Sequence, residues 1–277
     1  MDSKVKILIY IALIFIGLGL VAIFEAGDFQ KTRLVFCDVG QGDGILITSG
    51  SRQVVVDGGP GNKILDCLGK KIPFWDRKIE MVILTHPQQD HMEGLIAVLA
   101  RYEIGTIVTT NVANQTQLYR VWQTALVSEG ARVYEPDVGD RFVLDGQRGT
   151  ILSVLWPSFA KASEWRADPP GDTNETSIVM RLDFGPSAGG CAYLTGDIPK
   201  EILETLIDRS CDILKIAHHG SRTGTNKEIL EKARPKVAVI QVGKNNRFGH
   251  PHQEVLDLLQ ARGVKILRSD LDGDIDN

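Results

Sequence analysis

LTHPQQDHMEG, residues 84–94, is the stretch on which the reading of this chain turns. It follows a β-branched run, EMVILT (80–85), that reads as a buried strand ending at His86. After it, Met92, Leu95, Ile96 and Leu99 recur at helical spacing, so a helix is expected over 91–101. A strand that turns into a helix lets side chains converge at the strand end without burying loop backbone. His86, Asp90 and His91 are therefore expected at one point. Imidazole nitrogen with carboxylate oxygen suits zinc, manganese or iron rather than calcium.

Working outward, the six histidines of the 277 residues fall into three clusters: His86 with His91, His218 with His219, and His250 with His252. Each cluster follows a strand-like run, as does Asp197 in YLTGD (193–197). Delivery of ligating groups at the C-terminal ends of strands is the site geometry of α/β folds. His252, at a helix start, reads as an ordinary residue. Short strands over 33–38, 44–48 and 53–57 come first, a hairpin over 176–184 and 191–195 follows, and β–α alternation completes each half. These patterns predict one domain of two sheets with helices outside. The Pro-, Ala- and Gly-rich segment 158–173 is expected to be a loop with no core.

With 31 basic and 35 acidic residues, net charge −4, the chain is no bulk polycation. Nucleic-acid contact would have to come from a local site. Cys37, Cys67, Cys191 and Cys211 form no CxxC pair, which excludes a zinc ribbon or a thioredoxin motif. They are expected to be small buried residues, with any disulfide connectivity open among three.

Residues 7–24 are apolar and uncharged, follow Lys4 and Lys6, and end at Glu25. At 1.5 Å per residue the run is about 27 Å long, enough for a bilayer core. No small-x-small cleavage site follows, so an uncleaved anchor is favoured over a signal peptide. The expected organisation is a cytoplasmic N-terminus (1–6), a transmembrane helix (7–24), a linker (25–32) and a hydrolase domain (33–277). The flanking lysines place that domain outside the cytoplasm, single-pass on the plasma membrane, or secreted if the anchor is cleaved.

FCDVGQGDGILI (36–47), VVVDGG (54–59), LTHPQQDHMEG, NETSIVM (174–180), YLTGDI (193–198), ILKIAHHGS (213–221) and VGKNNRFGHP (242–251) occur in one order over most of residues 33–275. In these motifs the chain resembles the metallo-β-lactamase-fold hydrolases, and among them the hydrolase domain of the ComEC-type DNA-uptake competence proteins. The resemblance implies an α+β fold, an αββα sandwich of two mixed sheets with the metal site along one edge. It implies that Asp57 supports the metal loop, that His86, Asp90, His91 and Asp197 are ligands, and that Asp197 can bridge two ions. The last ligand is His250 or His218; the other, with His219 and Ser221, would face substrate. One or two divalent ions, zinc or manganese, are implied. Gln88 departs from the pattern, standing where the wider family has histidine and the competence proteins often have aspartate. This weakens the first metal position.

The chemistry expected from such ions is activation of water near neutral pH. Asp90 or Asp197 would orient the water, and His218 and His219 would act at the reacting phosphoryl group with Asn174 and Ser177. Asn246 and Ser221 are further substrate-side candidates, and Arg222, Lys244 and Arg247 gather nearby in sequence. A phosphodiester is therefore the expected substrate, with single-stranded DNA one form of it and a multi-span channel a conceivable partner. Two other readings stand beside it: a phosphocholine or lipid-headgroup phosphoesterase, and a catalytically weak accessory subunit of a separate channel.

Overall fold

Alternation of side chains along the first strands organises the whole molecule. In β1 (Thr32–Phe36), β2 (Gly44–Ser49) and β3 (Arg52–Gly58), Leu34, Phe36, Ile45, Ile47, Val54 and Val56 face one way. Val35, Leu46 and Val55 face the other. Both faces are buried, so the sheet must be covered twice. The computed structural model describes residues 31–276 apart from Ser187, together with Lys6, Ile9, Tyr10, Ile11 and Leu13.

Two seven-stranded sheets stack face to face. The first has the order β14-β1-β2-β3-β4-β5-β6, with β4 (Lys78–Leu84), β5 (Glu103–Thr109), β6 (Arg132–Tyr134) and β14 (Ile275–Asp276). The second has the order β13-β12-β11-β10-β9-β8-β7, running from β7 (Arg141–Asp145) through β9 (Val179–Asp183) to β13 (Lys265–Arg268). In each sheet one end is antiparallel and the other parallel: β3 to β6 in the first, and β10 (Cys191–Leu194), β11 (Ile213–Lys215), β12 (Val237–Ile240) and β13 in the second. Helices α1 (Lys63–Lys71), α2 (Gln89–Arg101) and α3 (Gln117–Glu129) cover the first sheet, and α5 (Lys200–Leu206), α6 (Lys227–Ala233) and α7 (Gln253–Gln260) the second. The result is the expected αββα sandwich of two mixed sheets.

Helix α2 shows how the sandwich positions chemistry. Met92, Leu95, Val98 and Leu99 bury its apolar face, and Asp90 and His91 occupy its first turn at the end of β4. The helix can approach this closely because Gly94 meets Gly58: a Cβ on Gly94 would lie 2.0 Å from the Gly58 carbonyl oxygen.

Three expectations change. Segment 158–173 is not a coreless loop: α4 (Phe159–Ala167) buries Ala162 and Trp165 against Val112, and a 3₁₀ turn follows at Thr173–Thr176. The cysteines are buried but not reduced: Cys37 is bonded to Cys67, and Cys191 to Cys211. Three strands, β6, β7 and β8 (Thr150–Trp156), occupy a stretch in which none was foreseen. Most of the proposed span 7–24, including both its ends, lies outside the described residues. Of that span, Ile9, Tyr10, Ile11 and Leu13 are helical and exposed. Among the described residues no helix is long and apolar enough to cross a membrane.

Candidate metal centre

The ends of β3, β4, β10 and β11 meet where the two sheets open at one edge, and each end contributes a polar group. Asp57 closes β3 in a left-handed conformation (φ 57°), which turns its carboxylate under the β4 end. There it accepts from the Thr85 amide (2.8 Å) and the Thr85 hydroxyl (2.7 Å). It also takes the Nδ1 proton of His91 at 2.8 Å, which points the His91 Nε2 lone pair into the site. His219 is arranged in the same way from the opposite sheet. Its Nδ1 donates to the Gln241 carbonyl (2.9 Å), with Asp43 Oδ1 3.3 Å away, and its Nε2 faces inward. Three successive left-handed residues, His218, His219 and Gly220, make the turn that aims it.

Asp197 lies between the two imidazoles, its Oδ2 3.3 Å from both His91 Nε2 and His219 Nε2. Asp90 Oδ2 is 3.4 Å from His219 Nε2. His86 turns Nδ1 toward the hydroxyls of Thr85 (3.1 Å) and Ser177 (3.3 Å). Donor atoms of His86, His91 and Asp197, and those of Asp90, His91 and His219, lie within 4.8 Å of one another.

These donors pass a direct test of fit. His86 Nε2, His91 Nε2, His219 Nε2 and both Asp197 oxygens are buried without a hydrogen-bond partner. Buried polar atoms are normally paired, and leaving one unpaired costs about 1–3 kcal/mol. Five orphans facing one point are the arrangement a divalent ion satisfies, and nitrogen with carboxylate oxygen is a zinc or manganese set.

The electrostatics agree. Burial lowers His86 to about 3, helped by neighbouring His91, so this imidazole stays neutral with its lone pair free. Burial would raise Asp90, but His219 and His91 hold it at about 2. Burial acts against Asp197 as well, yet His219 and His91 keep it well below the carboxylate range. Burial works against charge on His91 and His219, but the surrounding carboxylates hold both well above the ordinary imidazole value. A divalent ion held by these donors would take the place of those protons.

The remaining sequence candidates sit around this centre. His218 and His250, between which the last ligand was expected to be found, belong to none of the close donor groups. Their rings are 5.6 Å apart, His218 Nδ1 is 3.2 Å from the Thr223 hydroxyl, and His250 Nδ1 is buried and unpartnered. Burial lowers His250 to about 4, with His218 adding to it. His219, expected to face substrate, occupies the inward ligand position. Ser177 is fully buried; its hydroxyl accepts from the Asp197 amide (3.1 Å) and holds His86. Asn174 accepts from Gln88 Nε2 at 2.7 Å, and Thr173 takes a second bond from the same amide at 2.9 Å. The Gln88 amide is thus tied into the wall. Ser221 bonds Thr223 (2.9 Å). Asn246 pins its own loop through the carbonyls of Gly243 (3.0 Å) and His250 (2.7 Å). His252 begins α7 and accepts from the Arg222 amide.

Two residues were not singled out from the sequence. Lys215 is completely buried, its Nζ 2.5 Å from Asp43 Oδ2 and 4.0 Å from Asp197 Oδ1. It also donates to the Gly196 carbonyl (3.0 Å). A lone charge inside the apolar strand ILKIA was the available signal. Asp43 sits in the GQGD turn and had only its neighbourhood to mark it.

Two stacked mixed sheets with a cluster of His and Asp donors at one edge are the arrangement of the metallo-β-lactamase fold. Among solved structures, the metallo-β-lactamase fold protein YhfI from Bacillus subtilis superposes with a TM-score of 0.56 at 13% identity, covering 89% of this chain and 100% of that one. In sequence the chain is similar to the ComEC-type competence proteins. It is 30% identical over 261 residues to ComE operon protein 3 of Bacillus subtilis (strain 168), covering 86% of this chain and 32% of the relative. It is 29% identical over 260 residues to the competence protein ComA of Neisseria gonorrhoeae, covering 90% and 32%. The chain therefore spans about a third of the length of these curated relatives. No family model matches it.

Proposed function

We propose that the protein is a metal-dependent phosphodiesterase, with DNA, single-stranded DNA included, as its substrate class. The observation that carries this is the set of orphaned donors below an open groove. The groove, about 640 Å³, is lined by Gln41, Gln88, Asp90, Asn114, Asn246 and Phe248. Of the ligand-type residues in the centre, Asp90 is the one with substantial exposure, so the groove meets the metal edge at that side chain. One ion would be held by Asp90, His91, Asp197 and His219. A second and weaker position would lie at His86, where Gln88, its NH2 group donating to Thr173 and Asn174, has only a neutral carbonyl oxygen to offer. Bound there, a divalent ion supplies Lewis acidity and lowers the pKa of water toward neutrality.

The chain's own groups do the rest. Asp57 and the Gln241 carbonyl hold the two ligand imidazoles with Nε2 inward. His218, partly buried beside the centre and kept toward the neutral imidazole by burial, is placed to hydrogen-bond a substrate oxygen. Arg247 and Phe248 form the groove rim, the guanidinium 5.0 Å from the ring centroid, and offer charge to phosphate and a face to a base. We place the domain outside the cytoplasm, anchored in the plasma membrane through residues 7–24, and working beside a multi-span channel. The two disulfides support that placement, because such bonds persist in oxidising compartments.

The test offers the purified full chain, with Mn²⁺ or Zn²⁺, single-stranded DNA, double-stranded DNA, a generic phosphodiester and phosphocholine. DNA cleavage is expected, lost in an Asp90→Ala/His91→Ala double variant together with metal binding by calorimetry. Turnover of phosphocholine alone would favour the headgroup reading. A protein that binds metal and DNA but cleaves nothing would make it an accessory subunit, the outcome Gln88 motivates.

A further inference from the structure

We infer that the Phe74–Trp75 turn is a lipid-contacting surface that seats the domain on an anionic bilayer with its metal edge facing away. Residues 73–77 connect α1 to β4. Phe74 is 83% and Trp75 63% exposed, and their rings meet edge to face with centroids 4.9 Å apart, forming one apolar knob. An exposed aromatic pair of this size on a water-facing surface calls for an occupant. The turn is ordered rather than loose. The Asp76 amide donates to the Pro73 carbonyl (2.9 Å), and the Asp76 carboxylate accepts from the Lys78 amide (3.1 Å) and from Gln53 Nε2 (2.9 Å). Arg77 and Lys78 follow the knob directly and are both exposed, Lys78 lying 3.7 Å from Glu80. Aromatic rings flanked by lysine and arginine suit the headgroup layer of an anionic membrane, the rings entering and the cations meeting lipid phosphate.

Topology places this knob where the chain enters the domain. β3 and β4 run parallel, and β1 runs in the same direction because each is antiparallel or parallel to its neighbour in turn. The N-terminal ends of β1, β3 and β4 therefore share one end of the sheet. Gln53, bonded to Asp76, pairs with Thr48, which pairs with Arg33 near the start of β1. At about 4.8 Å between strands, Gln53 lies roughly 10 Å from the first strand and the turn, which leads into β4, about 14 Å from it. Only residues 25–31 separate that strand from the apolar run 7–24, a reach of at most about 25 Å. A domain on so short a tether must present this end to the membrane. The metal centre is at the opposite ends of the same strands, about 20 Å away along β3 at roughly 3.3 Å per residue. Substrate then approaches from the aqueous side, which favours a soluble phosphodiester over a headgroup of the same bilayer.

The inference rests on the membrane placement proposed above, and one experiment separates the two. The full chain is reconstituted into phosphatidylcholine/phosphatidylglycerol vesicles with or without bromine on the upper acyl chain. Residues 1–31 hold no tryptophan, and of the chain's four Trp75 is the one well exposed. Bromine is expected to quench up to about a quarter of the emission. Trp75→Phe should abolish that quenching with the melting temperature unchanged, and Arg77→Glu/Lys78→Glu should reduce it at least twofold. A chain that floats with the vesicles yet emits equally in both lipids overturns the lipid contact alone, and the turn is then a protein-facing surface. A chain that does not float overturns the anchor and the inference together.

Discussion

Lys215 and Asp43 form a fully buried ion pair beside the candidate metal centre. Four carboxylates, Asp43, Asp57, Asp90 and Asp197, converge on the centre, and the Lys215 ammonium lies against two of them, Asp43 and Asp197. A buried pair of this kind adds little net stability against an apolar replacement, but removing one partner is expensive. Lys215→Met is expected to destabilise the metal-free protein by about 3–5 kcal/mol, read as a lower denaturation midpoint in chelator. Added Mn²⁺ or Zn²⁺ should restore part of the loss by binding the folded state. A midpoint equal to wild type would show that the ammonium is dispensable. Lys215 escaped the sequence reading because its partner lies 172 residues away, and nothing local says that the two meet.

At the scale of elements, β10 is tied to the chain after α5 by one phenol. Tyr193 is buried and its hydroxyl donates to the Asp208 carboxylate at 2.7 Å, while the Arg209 amide donates to it at 3.3 Å. Burial, then the Asp208 bond, raises it to about 12. The fold thus favours the neutral phenol over the unfolded value near 10. That contribution is complete below pH 10 and is lost as pH rises from about 10 to about 12; two units correspond to about 2–3 kcal/mol. Tyr193→Phe should flatten the fall in stability over that window, and unfolding midpoints at pH 9, 10 and 11 would show it. Elements were legible where burial was periodic: α2 shows four buried apolar positions on one face, and it was anticipated. Helix α4 buries only Ala162 and Trp165, too few to stand out among prolines and glycines. β8 reads TILSVLW, a nearly continuous apolar run of the kind that periodicity cannot assign.

Across the whole molecule, the two disulfides cross-link elements that already pack together in the core. Cys37 at the end of β1 is held to Cys67 in α1 across 30 residues, and Cys191 in β10 to Cys211 across 20. Closing loops of that size restricts the unfolded chain by about 3 kcal/mol each in the entropic account. A reductant is expected to lower the melting temperature markedly. An unchanged melt in the presence of reductant, with the thiols shown to be free, would mean the native contacts suffice. The pairing was not legible because four cysteines allow three connectivities, and only the packing of α1 on the first sheet brings Cys67 to Cys37.

Short-range order and chemistry were written locally. Strand runs ending in His86, Asp197 and the His218-His219 pair announce an edge site on a two-sheet fold, because side-chain period and strand-end position are properties of a few adjacent residues. Which imidazole points inward is not local. His218 and His219 are neighbours of identical chemistry, and the choice between them is made by the left-handed turn they share and by the Gln241 carbonyl that takes the His219 proton. Orientation, long-range charge pairing and disulfide partners depend on which surfaces meet when the two sheets stack, and that is decided only by the packed structure.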